Sequence, residues 1–151
     1  MSSDLRELYQ SVILDHNRRP RNFCKPECAN RSAKGINPLC GDQLTVYLAI
    51  EDGVVKDVGF DGTGCAISTA SASLMTQSIK GKKVEEVEHL FAGFHNMVTS
   101  NPQSRIRDEG LGKLSVFSGV REFPMRVKCA TLAWHAMNEA LRDTGKAATT
   151  E

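Results

Sequence analysis

The sequence predicts an α+β fold, a small antiparallel β-sheet with helices packed on one face. Three observations predict the α+β class. Two runs of alternating apolar residues flank an Asp-Gly pair at Asp52-Gly53. A run of helical stripes follows them with no further long strand pattern. One amphipathic stripe precedes them, near the N-terminus.

Leu5, Leu8, Tyr9, Val12 and Ile13 recur at helical spacing over residues 4–18, one stripe of a helix. Pro20 ends it, because the residue before a proline is pushed out of the helical region. Residues 20–39 hold Pro20, Pro26, Pro38 and Gly35, and read as a long connection with little regular structure. Leu44, Val46, Leu48 and Ile50 then alternate with Thr45, Tyr47 and Ala49. Val54, Val58 and Phe60 alternate with Val55, Asp57 and Gly59. The turn Glu51-Asp52-Gly53 joins the two runs into a β-hairpin. The glycines of Asp61-Gly62-Thr63-Gly64-Cys65 allow a sharp turn or a short third strand. Ile67, Ala70, Leu74, Met75 and Ile79 form a helical stripe that stops at Lys80-Gly81. Val84, Val87, Leu90, Phe91 and Phe94 form another, ending at Gly93 or shortly after. Ser100-Asn101-Pro102 marks a loop, and Leu111, Leu114, Phe117 and Val120 suggest a short helix packed on the body. Pro124 opens the last helix, whose apolar positions include Cys129, Leu132, Ala133, Ala136, Met137 and Ala140. The tail, about residues 146–151, is expected to be disordered. No repeat or second domain is visible, so residues 1–151 read as a single domain.

Charge and composition exclude several classes. Lys and Arg number 19 against 18 Asp and Glu, a net charge of +1. That balance argues against non-specific nucleic-acid binding, which needs an excess of cations to displace counterions. No apolar run approaches the ~20 residues of a membrane span, so no membrane partner is expected. The N-terminus lacks the apolar core of a signal peptide, and the expected location is cytoplasmic. In that compartment thiols stay reduced. The odd set Cys24, Cys28, Cys40, Cys65 and Cys129 therefore points to metal ligation, nucleophilic chemistry or simple burial.

Three of the cysteines fall at element boundaries. Cys40 precedes the first alternating run, Cys65 lies in the glycine turn before a helix, and Cys129 lies near the start of the last helix. A thiol at a helix N-terminus is shifted toward thiolate, the form that binds metal and attacks sulfur. Asp42 stands two residues after Cys40, on the same face if the chain is extended. Together the four residues could supply three sulfurs and one oxygen to tetrahedral Zn²⁺. Four anionic ligands would leave the divalent ion with two negative charges in excess. Arg126, one helical turn before Cys129, and Lys128 could offset part of that excess. Spacing alone leaves this reading open beside a simpler one, three cysteines buried as small hydrophobes.

Cys40-Gly41-Asp42-Gln43, Gly62-Thr63-Gly64-Cys65-Ala66-Ile67-Ser68 with Ala70-Ser71-Ala72-Ser73, and Arg126-Val127-Lys128-Cys129 are similar to the motifs of the IscU/NifU N-terminal family of iron–sulfur cluster assembly proteins. Leu14-Asp15-His16 through Pro20-Arg21-Asn22 resembles that family's N-terminal helix and its exit. The resemblance runs from about residue 5 to about residue 143. Two departures set the chain apart from the IscU form. Lys128 stands before the last cysteine where IscU proteins carry a histidine, and the stretch between Cys65 and Cys129 is longer, with the extra residues near 98–121. Both are features of the SufU branch, understood as zinc-dependent sulfurtransferases that take sulfur from a cysteine desulfurase. The resemblance thus implies Zn²⁺ on Cys40, Asp42, Cys65 and Cys129, with Arg126 as the arginine of the R-x-x-C motif. It also implies a SufS-type cysteine desulfurase as partner and downstream cluster scaffold proteins beyond it. The alternative is a scaffold that assembles a [2Fe–2S] cluster on the same ligands. A third reading is a structural zinc domain that only binds a partner.

Backbone freedom points to Cys40 as the sulfur acceptor, as the resemblance does. It follows a proline-containing connection and precedes Gly41, whereas helices hold Cys65 and Cys129. Arg126 is placed to stabilise the anionic transfer. Cys24 and Cys28, spaced C-x₃-C, read as incidental thiols. His16, His89, His95 and His135 match no ligand spacing, and His16 is a candidate for a positional role. Ser68, Ser71 and Ser73 read as small residues that permit close packing, or as caps near Cys65.

Overall fold

The computed structural model describes residues 3–103 and 110–150. Helix α1, Ser3–Arg18, leads into a connection and then strands β1, Arg31–Asn37, β2, Asp42–Glu51, and β3, Val54–Thr63. Helices α2, Ala66–Ile79, and α3, Val84–Thr99, follow. A 3₁₀ stretch, Gly112–Glu122, precedes α4, Pro124–Arg142, and strand β4, Ala148–Thr149, comes last. The expected extra stretch near 98–121 lies partly outside the described residues.

The hairpin of β2 and β3 pairs Val46 with Phe60 and Leu48 with Val58. All four side chains are buried, so alternation along both strands puts one face on the core. Helix α4 covers β1 and β2 on that face and packs against α2, which also touches β3. Phe94 of α3 stacks on Trp134 of α4 with ring centroids 4.6 Å apart.

The strand order β3-β2-β1-β4 departs from expectation in two ways. Residues 31–37, expected as irregular connection, form β1 and pair antiparallel with β2 from Arg31↔Leu48 to Asn37↔Asp42. Their inward residues are Ala33, Gly35 and Asn37. A Cβ on Gly35 would sit 3.2 Å from Ala136 Cβ and from Leu132, so α4 lies too close for the large apolar residues that announce a strand. The tail, expected to be disordered, adds β4 parallel to β1, pairing Gly35↔Ala148 and Ile36↔Thr149. Thr150 N–H also donates to Ile36 C=O at 3.1 Å. The sheet is therefore mixed rather than antiparallel. Helix α3 also runs beyond Gly93 to Thr99, and Gly93 there faces Leu111.

Polar contacts fix the exit of α1 to α2. Ser73 Oγ accepts the Arg21 N–H at 2.8 Å and lies 2.7 Å from His16 Nδ1. The hydroxyl hydrogen is then free to point at Nδ1, which makes His16 the acceptor. Burial first, and the nearby Arg21 cation second, hold the His16 imidazole below the usual histidine range. Asn22 Nδ2 donates to Thr76 Oγ1 at 2.9 Å. Asn22 C=O takes the Phe60 N–H at 3.1 Å, which closes part of the free edge of β3. His16 is thus buried between α1 and α2, in contact with Ser73.

Candidate metal centre

Four chain segments meet at one end of the sheet. The first is the loop between β1 and β2. Asn37 and Asp42 are cross-strand partners, and the Cys40 N–H closes a turn onto Asn37 C=O at 3.3 Å. Gly41 takes φ +73°, a left-handed conformation that favours glycine. Asp42 then starts β2 pointing inward and is fully buried, while Cys40 stays exposed on the loop. Sequence alternation cannot show this loop, because it cannot show β1.

Cys65 comes from the second segment, the turn into α2. It is the N-cap of that helix, and its Sγ takes the Ser68 N–H at 3.4 Å. Its own N–H donates to Asp42 Oδ1 at 2.8 Å. Gly62 makes this approach possible: a Cβ there would sit 2.2 Å from Gln43 C=O, at φ +124°. The third segment is α4, with Pro124 in its first turn and Cys129 buried one turn further on. Ser71 joins α2 to α4, donating to Ala130 C=O at 2.5 Å and accepting the Trp134 indole N–H at 3.2 Å. The fourth is the end of β1, where Asn37 Nδ2 lies 3.6 Å from Cys129 Sγ.

The ligand atoms of Cys40, Asp42 and Cys129 all lie within 4.8 Å of one another. Cys129 Sγ is 3.5 Å from Cys40 Sγ. Cys65 stands beside this triplet, its Sγ 4.0 Å from Asp42 Oδ2. A tetrahedron with Zn–S near 2.3 Å and Zn–O near 2.1 Å has edges of about 3.6–3.8 Å, so the Cys40, Asp42 and Cys129 triplet suits three of its corners, while Cys65 lies outside that group of mutually close ligand atoms. The donor set of three thiols and a carboxylate suits Zn²⁺ as well. Burial, then the neighbouring Cys40 and the charge of Cys65, push the Cys129 thiol far above the ordinary cysteine range. A metal there must displace a tightly held proton. Among the described residues three buried side-chain polar atoms have no hydrogen-bond partner, and two of them, Asn37 Oδ1 and Ser68 Oγ, belong to residues beside these sulfurs.

Arg126 lies in the first turn of α4, exposed, on a groove shared with Ile67, Val120 and Phe123. Cys24 and Cys28 are exposed and lie outside the ligand group. His135 packs edge-on against Phe91 and His95, so it faces α3 instead. Ser68 contacts Cys65 through its backbone N–H, whereas Ser71 and Ser73 use their hydroxyls between helices. The residue that sequence reasoning missed is Asn37. Its one signal is its place at i+4 from Ala33 and i+2 from Gly35, in register with the inward face of β1.

The fold and this site define an α+β domain in which two thiols and one carboxylate, Cys40, Cys129 and Asp42, are grouped so that they could hold a metal ion, with the Cys65 thiol beside them. The chain belongs to the family of the NifU-like N terminal domain, whose model matches residues 8–143. It is 36% identical over 150 residues to a zinc-dependent sulfurtransferase SufU of Bacillus subtilis, covering 93% of each chain. It is 41% identical over 136 residues to an iron–sulfur cluster assembly scaffold protein IscU of Thermotoga maritima, covering 89% of this chain and 93% of that one. A Fervidobacterium islandicum structure, named for an iron–sulfur cluster scaffold of the SUF system, superposes with TM-score 0.80 at 33% identity, over 89% of this chain and 97% of that one. Among the described residues no helix is long and apolar enough to cross a membrane.

Proposed function

We propose that this protein serves iron–sulfur cluster assembly as a zinc-dependent sulfurtransferase, accepting persulfide sulfur on Cys40 from a SufS-type cysteine desulfurase. One observation carries the choice of residue. Of the three clustered thiols, Cys40 is exposed, Cys65 is partly covered and Cys129 is buried. Only Cys40 sits on a loop that can approach another protein without unfolding an element. Relatives named for zinc-dependent sulfur transfer and for cluster assembly support the broader assignment.

Cys40, Asp42, Cys65 and Cys129 would hold the ion. Bound Zn²⁺ would keep the thiols deprotonated. The chain's own part is a nucleophilic displacement. Cys40 Sγ attacks the outer sulfur of the desulfurase persulfide, a bond forms between them, and the old S–S bond breaks. The desulfurase cysteine leaves as thiolate, and the outer sulfur travels with its proton to Cys40. No net oxidation occurs. Leu39, beside Cys40, and Phe123 and Met125, at the start of the helix that carries Cys129, are all more than half exposed. They give a partner apolar surface near the loop. Arg126, in the same turn of α4, supplies positive charge for the anionic exchange.

A [2Fe–2S] scaffold would use the same thiols. Lys128 precedes Cys129 where a histidine would supply a further ligand, and this favours sulfur transfer. Metal analysis with X-ray absorption on aerobically purified protein separates the two. About one zinc per chain with a sulfur-rich shell is expected. An iron–sulfur chromophore, or zinc with only N/O neighbours, would overturn the reading.

A further inference from the structure

We propose that Asn37 is a positioning residue that decides which thiolate of the metal site reacts, by donating its side-chain N–H to Cys129 and leaving Cys40 without such a donor. The inference rests on the zinc-bound reading above. It concerns selectivity among the ligands, which that reading does not explain.

Asn37 is fully buried at the end of β1. The other inward positions of that strand are Ala33 and Gly35, so a carboxamide is out of keeping with its row. Burying one is costly unless its hydrogen bonds are met. Here only one end is met: Nδ2 points at Cys129 Sγ at 3.6 Å, and Oδ1 has no partner. The pairing of Asn37 with Asp42 in the strand register fixes the amide at the floor of the site. What the position provides is therefore an N–H aimed at one sulfur.

The three sulfurs are treated unequally. Cys129 faces the Asn37 amide, and Cys65 takes the Ser68 N–H at 3.4 Å. Among the described residues Cys40 Sγ receives no N–H, its recorded neighbour being Cys129 Sγ at 3.5 Å. An N–H bonded to a thiolate is charge-assisted and draws electron density from sulfur. Outer-shell donors of this kind tune a ligand's hold on the metal and its basicity. With two negative charges in excess on the site, the sulfur without a donor keeps the most charge. Cys40 is thus both the exposed thiolate and the most nucleophilic one, while Asn37 quiets Cys129.

Two measurements test this. In the first, zinc-loaded wild-type, Asn37→Ala and Asn37→Asp proteins receive limiting iodoacetamide, and alkylation is mapped by peptide mass spectrometry. Wild-type protein should be alkylated first at Cys40. Both variants should raise the ratio of Cys129 to Cys40 alkylation by about tenfold, the usual scale of an outer-shell change. An unchanged ratio overturns the proposal. The second measurement uses the wild-type chain and does not depend on a variant folding. In protein loaded with ¹¹³Cd, the Asn37 side-chain amide protons should show scalar coupling to the metal through the N–H···S bond, as should the Ser68 amide. Absence of the Asn37 coupling overturns the proposal. Metal held on these cysteines with neither effect would sink this inference alone. A chain that binds neither zinc nor cadmium there would sink the functional reading and this inference together.

Discussion

The Cys65 N–H donates to Asp42 Oδ1 at 2.8 Å, tying the N-cap of α2 to the first residue of β2. One carboxylate therefore has two tasks. Its Oδ1 closes a structural bond, and its Oδ2 faces Cys65 Sγ at 4.0 Å. The two are separable by substitution. Asp42→Asn keeps an acceptor for the Cys65 amide but loses the anionic ligand. Its metal-free melt should stay near wild type while zinc affinity falls. Asp42→Ala should also lower metal-free stability, by about 1–3 kcal/mol, because a backbone donor loses its partner. Urea denaturation of chelator-treated protein beside competitive zinc titration checks both.

Ser71 holds α2 against α4 and so sets the spacing of Cys65 from Cys129. Replacing it by Ala leaves the Trp134 indole N–H without its buried acceptor. The expected cost is about 1–3 kcal/mol, with weaker zinc retention in the same variant. Denaturant midpoints with and without zinc would show it, and equal midpoints to wild type in both would contradict it.

The buried His16 predicts an acid-side loss of stability. Its imidazole titrates below the usual histidine range in the fold, first through burial, so between about pH 6.5 and that lower value only the unfolded chain takes up the proton. The unfolded state then binds more protons, and stability falls as pH falls. The slope from one such group is at most about 1.4 kcal/mol per pH unit. His135, lowered by burial and by His95, adds in the same direction. His16→Gln should flatten the fall between pH 6.5 and 5 and leave the His135 share. Chemical denaturation across that range measures it.

Gly35 faces Ala136 and Leu132 at 3.2 Å. Gly35→Val should overpack this contact at a cost of about 1–3 kcal/mol and shift the end of β1 that carries Asn37. A Gly35→Val protein as stable as wild type would show that α4 can retreat freely.

The β2–β3 hairpin and helices α2, α3 and α4 were legible because each buries large apolar residues at a regular period, whereas α1 keeps its period in the half-buried Tyr9, Val12 and Ile13 and leaves Leu8 of the same stripe exposed. Strand β1 was not, since its inward face is Ala33, Gly35 and Asn37. The period is intact, but α4 packs too closely for the side chains that would make it visible. The tail has the same difficulty: two residues, Ala148 and Thr149, pair with β1, and so short a strand has no period to read. The thiols and Asp42 could be singled out as candidates because metal-binding residue types stand at element boundaries, and the resemblance of their motifs to the IscU/NifU N-terminal family then favoured that reading over simple burial. Their meeting was not readable from spacing alone, because Cys40 reaches the others only through the loop that β1 creates. Asn37, ahead of Pro38, looked like a loop residue for the same reason.

The central claim is that Cys40 takes the sulfur. The direct measurement is peptide mass spectrometry on the zinc-loaded protein after incubation with a SufS-type cysteine desulfurase and cysteine, without reductant, beside Cys40→Ser, Cys65→Ser and Cys129→Ser variants. The account predicts a gain of one sulfur atom on the peptide containing Cys40, lost in Cys40→Ser. A persulfide mapped to Cys65 or Cys129, with Cys40→Ser still accepting sulfur, would contradict it.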